Sequence, residues 1–439
     1  MKKNKLTSTL LNEAYTVVQH PSGLQIYLFP KKMSSVYALF AVRYGSLDNC
    51  LTGADGKEIT VPDGVAHFLE HKLFDSPDGT DVFSEFSAIG ADANAYTSYN
   101  RTAYLFSCTR QVREALEILI KFVTTPYFTD ASVKKEQGII AEEIKMYEDS
   151  PWERVYQNML GILYPSHPVS RNICGSVSSI KKITPALLYQ CYGEFYRPSN
   201  MALVVCGDID EEEILDTADR LLPKEASPLP AKRIPKGDAA PLCKRRVSAK
   251  MQVAKPIFSI GIKDTVLLAD PCERLKRDFI MAVLNEILFS QAGDFYGELF
   301  EEGLITPSFS FGYSSMETFA FNCITGEAND PEAVMERLLA YVERVKREGL
   351  SREAFERCRR ALYADEIRAY DSTEEIANRL LSFAFEGGEM FDAPKILESV
   401  TVEEAEALLR SFYREENIGM SVVLPLEDSE NKNRKDNTV

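Results

Sequence analysis

Apolar residues along this chain keep two different spacings. Segments 24–28, 36–43, 103–108 and 257–262 are either continuously apolar or alternate apolar with polar residues. Such runs predict strands, buried on one face where they alternate and on both where they do not. Segments 112–122, 133–147, 272–289 and 331–348 instead repeat apolar residues three and four apart. That period lines one side of a helix and predicts long amphipathic helices packed on the strands. Strands and helices interleave unevenly, which predicts α+β layers and not a strict βαβ array.

The pattern occurs twice. Thr184, Phe195, Tyr196, Arg197 and Asn200 recur as Thr401, Phe412, Tyr413, Arg414 and Asn417 at one constant offset. Each copy opens on a threonine suited to cap a helix, runs through that helix, and enters a β-branched strand at 202–205 or 421–424. A second echo, in the same order, sets Glu143-Ile-Lys-Met-Tyr147 against Glu366-Ile-Arg-Ala-Tyr370. Two matches in one order predict a duplicated domain. Between the copies, 223–241 holds five prolines and no hydrophobic period, as an exposed connector does. The expected organisation is an N-terminal α+β domain over 1–222, a Pro-rich linker over 223–247, a homologous C-terminal α+β domain over 248–426 and a flexible polar tail over 427–439.

Composition narrows the class. A chain of 439 residues exceeds one ordinary core, and 45% hydrophobic with 26% charged residues is a globular balance. The basic start at Met1-Lys-Lys-Asn-Lys5 leads into no apolar h-region, because Asn12, Glu13 and Gln19 interrupt it. No apolar run reaches the length that spans a bilayer, so a cytoplasmic protein without a membrane partner is expected. Nine scattered cysteines without a C-x-x-C pair read as reduced thiols, and argue against both a disulfide framework and a cysteine zinc site. A net charge of −16 repels phosphate backbones and argues against a nucleic-acid partner.

The chemistry concentrates between Pro62 and Phe74. Asp63 can cap a helix that begins near Gly64, and on it His67 and His71 lie one turn apart on one face. Two imidazoles so spaced can hold one metal ion. Glu70, three residues after His67, can reach the water that shares the metal. This is H-x-x-E-H, the inverzincin motif. In a chain with four histidines it arises by chance with a probability of roughly a few in a thousand. A catalytic zinc site needs a third protein ligand. Glu136 and Glu143, two turns apart on the 133–147 helix, share a face while Glu142 points elsewhere. One can ligate while the other orients a histidine; such a run is also a common solvated acidic face. His167, in a His-Pro loop, is expected to be structural.

With these residues in view the chain resembles the pitrilysin/insulinase family, nearer its shorter branch that includes mitochondrial processing peptidase, over nearly its whole length. The likeness is carried by His67-Phe-Leu-Glu-His71 with Glu136 and Glu143, by Gly90-Ala-Asp-Ala-Asn94-Ala-Tyr-Thr97 leading to Thr102-Ala-Tyr104, by His167-Pro168 and Gly175, and by Phe195-Tyr-Arg-Pro-Ser-Asn-Met201 ahead of Val205-Cys-Gly207-Asp208. The resemblance implies two homologous α/β-sandwich domains in a half-clamshell. It implies a zinc metalloendopeptidase with one Zn2+ per chain, held by His67, His71 and Glu143. Glu70 is then the base, and Glu136 supports the site without binding the metal. A peptide substrate would add as a strand along Asn94, Ala95, Tyr96 and Thr97.

The sequence departs from the family in two places. At the place of the zinc helix the second half reads Val283-Leu-Asn-Glu286-Ile-Leu-Phe289, which implies no second zinc site. Around Gly303-Leu304, the Arg and Tyr of active single-chain members fall on Phe300 and on Thr306 or Pro307. The implied assembly is a heterodimer with a homologous subunit that supplies the Arg/Tyr pair. The alternative is a peptide-binding or assembly subunit with a metal site and little turnover.

Overall fold

The computed structural model describes residues 1–52, 58–226, 232–233, 242 and 244–426. Of the expected linker, 227–231, 234–241 and 243 lie outside the described residues, as does the expected tail 427–439.

The first half contributes β1 (Lys2–Ser8), β2 (Glu13–Gln19), β3 (Gln25–Pro30), β4 (Val36–Val42), β5 (Cys50–Thr52), β6 (Glu58–Thr60), β7 (Asp92–Thr97), β8 (Thr102–Cys108) and β9 (Met201–Gly207). After them come β10 (Lys232–Arg233), β11 (Arg246–Met251), β12 (Ile257–Lys263), β13 (Ser310–Ser315), β14 (Ala320–Glu327) and β15 (Ile418–Pro425). A seven-stranded sheet has the order β1-β2-β3-β9-β4-β8-β7, and a five-stranded sheet has the order β11-β15-β12-β14-β13. A small third sheet, β10-β5-β6, places part of the expected linker in a strand pair.

The duplication is written in the topology. Within the first sheet β3 runs parallel to β9, and β4 is antiparallel to both β9 and β8, with β7 antiparallel to β8. Within the second, β11 runs parallel to β15, and β12 is antiparallel to both β15 and β14, with β13 antiparallel to β14. Five strands thus repeat in order and direction. The continuously apolar runs became the central strands β4, β9 and β12, buried at every position because both sheet faces are covered. The expected caps form: Thr184 Oγ1 accepts from the Leu187 N–H and Thr401 Oγ1 from the Glu404 N–H, each at 3.2 Å.

Two compact units divide the chain, each drawn from three segments. One comprises Met1–Ile144, Asn172–Pro235 and Glu366–Asp392; the other comprises Lys145–Arg171, Lys236–Asp365 and the chain from Ala393 onward. These units cross the sequential division at 222 and 248. Helix Pro151–Leu163, from the first half, packs on β12 and β15 of the second unit. Helix Thr373–Glu386, from the second half, packs on β4 and β9 of the first. There Ile376, Leu380 and Leu381 close a core with Phe29, Leu39 and Val204. The second sequence echo marks this exchange, since 143–147 and 366–370 each lead into a swapped helix. The other face of the first sheet carries helix Val112–Thr124 on β4 and β8, and helix Val65–Lys72 on β7 and β8. Among the described residues no helix is long and apolar enough to cross a membrane.

Candidate metal centre

Helix Val65–Lys72 is sunk into the first unit by Val65, Ala66, Phe68 and Leu69, which leaves His67 only 7% and Glu70 9% exposed. Its start differs from the sequence expectation. Gly64, at φ 93°, is the capping residue and no side chain caps the helix; Asp63 Oδ1 instead accepts from Asn49 Nδ2 at 2.9 Å. The reason is close backbone approach. A Cβ on Gly64 would lie 2.4 Å from the Cys174 carbonyl oxygen, and a Cβ on Gly175, at φ 79°, 2.4 Å from the Asp63 carbonyl oxygen. Ser179 Oγ donates to that Asp63 oxygen at 2.8 Å. The 172–179 loop is therefore seated against the start of the histidine helix.

The second helix, Asp130–Asp149, buries Val133, Ile140 and Ile144 and brings both expected carboxylates to the histidines. Glu136 Oε1 lies 2.9 Å from His71 Nδ1. Glu143 faces both rings, with Oε1 3.5 Å from His67 Nε2 and Oε2 3.7 Å from His71 Nε2. The two ring centroids are 4.6 Å apart. The Glu143 separations exceed the usual N–H···O range. They suit two ligands of one ion, because bonds of ~2.0–2.1 Å at tetrahedral angles leave ligand atoms ~3.4 Å apart. His67 Nδ1 is buried without a hydrogen-bond partner among the described residues, so the ring's polar contact is made at Nε2. This donor set fits zinc.

Sequence reasoning missed one member of the cluster. Cys174 Sγ stands 3.7 Å from His67 Nε2 and 3.7 Å from Glu143 Oε1. The ligand atoms of His67, Glu143 and Cys174 all lie within 4.8 Å of one another, the one such group among the described residues. His71 stands outside this trio and approaches it at the other Glu143 oxygen, Oε2, at 3.7 Å. The lack of a C-x-x-C pair hid the cysteine; the available signal was its place beside Gly175, ahead of a glycine-tight contact.

Charge is polarised across the cluster. The His67 imidazole beside Glu143 holds its carboxyl below its usual range, against the opposing effect of burial. Burial alone lowers the His71 pKa, but the hydrogen bond to Glu136 and the charges of Glu70, Glu136 and Glu143 outweigh it and raise it. Burial, then the Glu143 charge, pushes the Cys174 thiol well up.

Glu70 and the expected substrate strand meet at Thr97, whose hydroxyl donates to Glu70 Oε2 at 2.5 Å. Strand β7 pairs with β8 alone and ends the sheet, so its outer edge is unpaired among the described residues. Asn94 Oδ1 accepts from the Ala95 N–H at 2.8 Å, and the Tyr96 hydroxyl donates to Asn378 Oδ1 at 3.2 Å. Asn94 and Tyr96 line a cavity of about 580 Å³ with Asp92, Asp371, Glu374 and Asn378. His167 lies in the second unit. Its Nδ1 accepts from the Val169 N–H at 3.0 Å, and its Nε2 lies 3.1 Å from Thr318 Oγ1, a structural setting.

The second unit keeps no histidines at the corresponding helix, Pro271–Phe289. Val283, Leu284, Leu288 and Phe289 are core residues there, and Asn285 pairs with Asn322 at 2.8 Å. Phe300, where Arg was sought, is exposed and stacks on Tyr296 with centroids 5.5 Å apart. Thr306 Oγ1 donates to Glu327 Oε2 at 3.2 Å.

Known proteins resemble this chain in sequence and fold. Residues 57–176 match the family model of insulinase (peptidase family M16), and residues 182–362 that of the peptidase M16 inactive domain. The chain is 37% identical over 425 residues to the uncharacterized zinc protease YmfH of Bacillus subtilis, covering 96% of this chain and 98% of that one. A crystal structure described as an M16-like peptidase of Alicyclobacillus acidocaldarius superposes with a TM-score of 0.89 at 34% identity, over 94% of this chain and 98% of that one. A protease of Helicobacter pylori, 16% identical, shares the fold with a TM-score of 0.81 over 94% of this chain and 100% of that one. The matched M16 models and a relative named a zinc protease fit the metallopeptidase class. The chain belongs to the insulinase family, peptidase family M16.

Proposed function

We propose that this protein is a zinc-dependent metalloendopeptidase that hydrolyses peptides or small unfolded proteins. The observation that carries the proposal is the pair of imidazole Nε2 atoms facing the two oxygens of Glu143 at 3.5 and 3.7 Å, beside Glu70. In this reading His67, His71 and Glu143 hold one Zn2+. Glu136 fixes His71 through Nδ1, which turns the Nε2 lone pair inward. Zinc held there supplies Lewis-acid polarisation of the scissile carbonyl and lowers the pKa of the attacking water towards ~7. Glu70 takes the proton of that water and passes it to the leaving amine. The Thr97 hydroxyl fixes one Glu70 oxygen and leaves the other for the proton. An extended substrate adds along the open edge of β7 by main-chain hydrogen bonds, for which the Asn94 side chain releases the Ala95 N–H.

The chain carries neither Arg nor Tyr at 300 and 306–307, so the working unit is a heterodimer with a homologous subunit that supplies them. Cytoplasmic residence agrees with the free thiols of all described cysteines. A second reading, a peptide-binding or assembly subunit with little turnover, is favoured by the exposed Phe300.

Elemental analysis and a peptide-library assay, with and without homologous partner chains, separate the two. The expected results are one zinc per chain, its loss in His67→Ala and His71→Ala, and its retention in Glu70→Gln with cleavage abolished. A metal-loaded sample without zinc would sink the site. Bound zinc without cleavage beside any partner would establish the binding subunit instead.

A further inference from the structure

We propose that Cys174 is a fourth donor to this metal, closing the centre when no substrate is present. The inference rests on the zinc reading above and adds a ligand to it. Its ground is geometric. Around one tetrahedral zinc, a sulfur bonded at ~2.3 Å and a nitrogen or oxygen bonded at ~2.0–2.1 Å stand ~3.5 Å apart. Cys174 Sγ lies 3.7 Å from His67 Nε2 and 3.7 Å from Glu143 Oε1, two atoms that belong to different helices. The sulfur can donate to Glu143 Oε1 and accept from the His67 Nε2–H. The same equal approach suits a ligand that shares one ion with both atoms.

The sulfur is also held in place. Asn172 Oδ1 accepts from the Cys174 N–H at 2.8 Å, and the Cys174 carbonyl is pressed on Gly64, three residues before His67. The side chain is sealed in, with the residue 4% exposed. The loop and the histidine helix therefore form one clamp that sets the sulfur beside the cluster. Zinc sites closed by four protein donors are structural, whereas catalytic ones keep a position for water. With Cys174 bound, the centre rests closed, the thiol proton having gone to solvent on binding. Hydrolysis then requires water to take the place of the sulfur.

Cobalt(II) tests this without reference to turnover. The metal-free full chain is titrated with Co2+ and followed by absorption, for the native protein, Cys174→Ser and Cys174→Ala. The expected native result is one cobalt per chain, with visible bands of a four-coordinate ion and a near-ultraviolet thiolate-to-cobalt band. Both variants should still bind one cobalt but lose the near-ultraviolet band, and their zinc affinity should fall about tenfold or more. One cobalt bound by the native chain without the thiolate band overturns the cysteine ligand and leaves the histidine–glutamate site standing. A band that survives in both variants assigns it to another cysteine and also overturns the proposal. No cobalt binding at all removes the metal site itself, and the cysteine ligand with it.

Discussion

Glu136 and Thr97 hold the two groups on which the proposed chemistry depends, and each can be tested alone. Glu136 Oε1 is 2.9 Å from His71 Nδ1, so Glu136→Ala leaves that ring free to turn. Zinc affinity should fall about 10–100-fold in competition with a chelator, while the native stoichiometry is still reached at high metal. Thr97→Val removes the hydroxyl that donates to Glu70 Oε2. The expected outcome is a lower kcat with unchanged zinc content, measured on the assembled enzyme. Zinc loss in Thr97→Val would mean that this contact builds the site and does not tune the base. His67, Glu70 and His71 were legible from one helical turn of sequence. Cys174 was not, because it reaches His67 across 107 residues.

Elements carry the next set of constraints. The loop bearing Gly175 and the histidine helix touch backbone to backbone, and Gly175 sits at φ 79° with its Cβ position 2.4 Å from the Asp63 oxygen. Gly175→Ala combines an unfavourable φ with that clash, so its cost should exceed ~1 kcal/mol in denaturant unfolding. Because the loop carries Cys174, metal affinity should fall with it. Native stability in this variant would place the loop off the helix. The buried hydroxyl pair Tyr104–Tyr196, at 2.8 Å, joins β8 to the segment that follows helix Pro185–Phe195. Burial, above all, raises both pKa values well above the ordinary tyrosine range. A raised folded-state pKa favours the neutral, folded form. Its contribution is complete below the unfolded value of about 10 and is lost as pH climbs above it. Denaturant melts should therefore show stability falling from about pH 10 upward, and Tyr196→Phe should blunt that fall.

At the scale of the whole molecule the exchanged helices decide what can fold. A fragment 1–222 lacks Glu366–Asp392, and with it Ile376, Leu380 and Leu381, which cover one face of the seven-stranded sheet. An apolar sheet face left open to water aggregates or binds hydrophobic dye. The fragment should be insoluble or dye-binding, whereas the full chain is not; a soluble, cooperatively folding 1–222 would show that the exchanged helix is dispensable. The proposed assembly with a homologous partner is tested at the same scale. Each missing oxyanion donor typically costs ~10²–10³ in rate. The zinc-loaded chain alone should thus turn over unstructured peptides at least about a hundredfold more slowly than with a homologous partner that carries the Arg/Tyr pair. Robust cleavage by the single chain would mean that its own residues serve the oxyanion.

The sequence by itself determined what local spacing encodes. Period-two and period-3.6 apolar patterns placed β4, β8, β12 and the helices at 112–124 and 331–348 to within a few residues. The constant offset between Thr184 and Thr401 announced a duplication that the strand order repeats. The H-x-x-E-H turn and the two-turn spacing of Glu136 and Glu143 put donors on one face of each helix before any contact was known. The tertiary structure alone decided how these pieces meet. It traded helices Pro151–Leu163 and Thr373–Glu386 between the units, replaced the expected Asp63 cap with Gly64, tied Thr97 to Glu70 and brought Cys174 to His67 and Glu143. The physical reason is the range of the interactions. Periodicity and capping act within a turn or two, whereas packing and ligand convergence act between residues that are neighbours only in the folded chain.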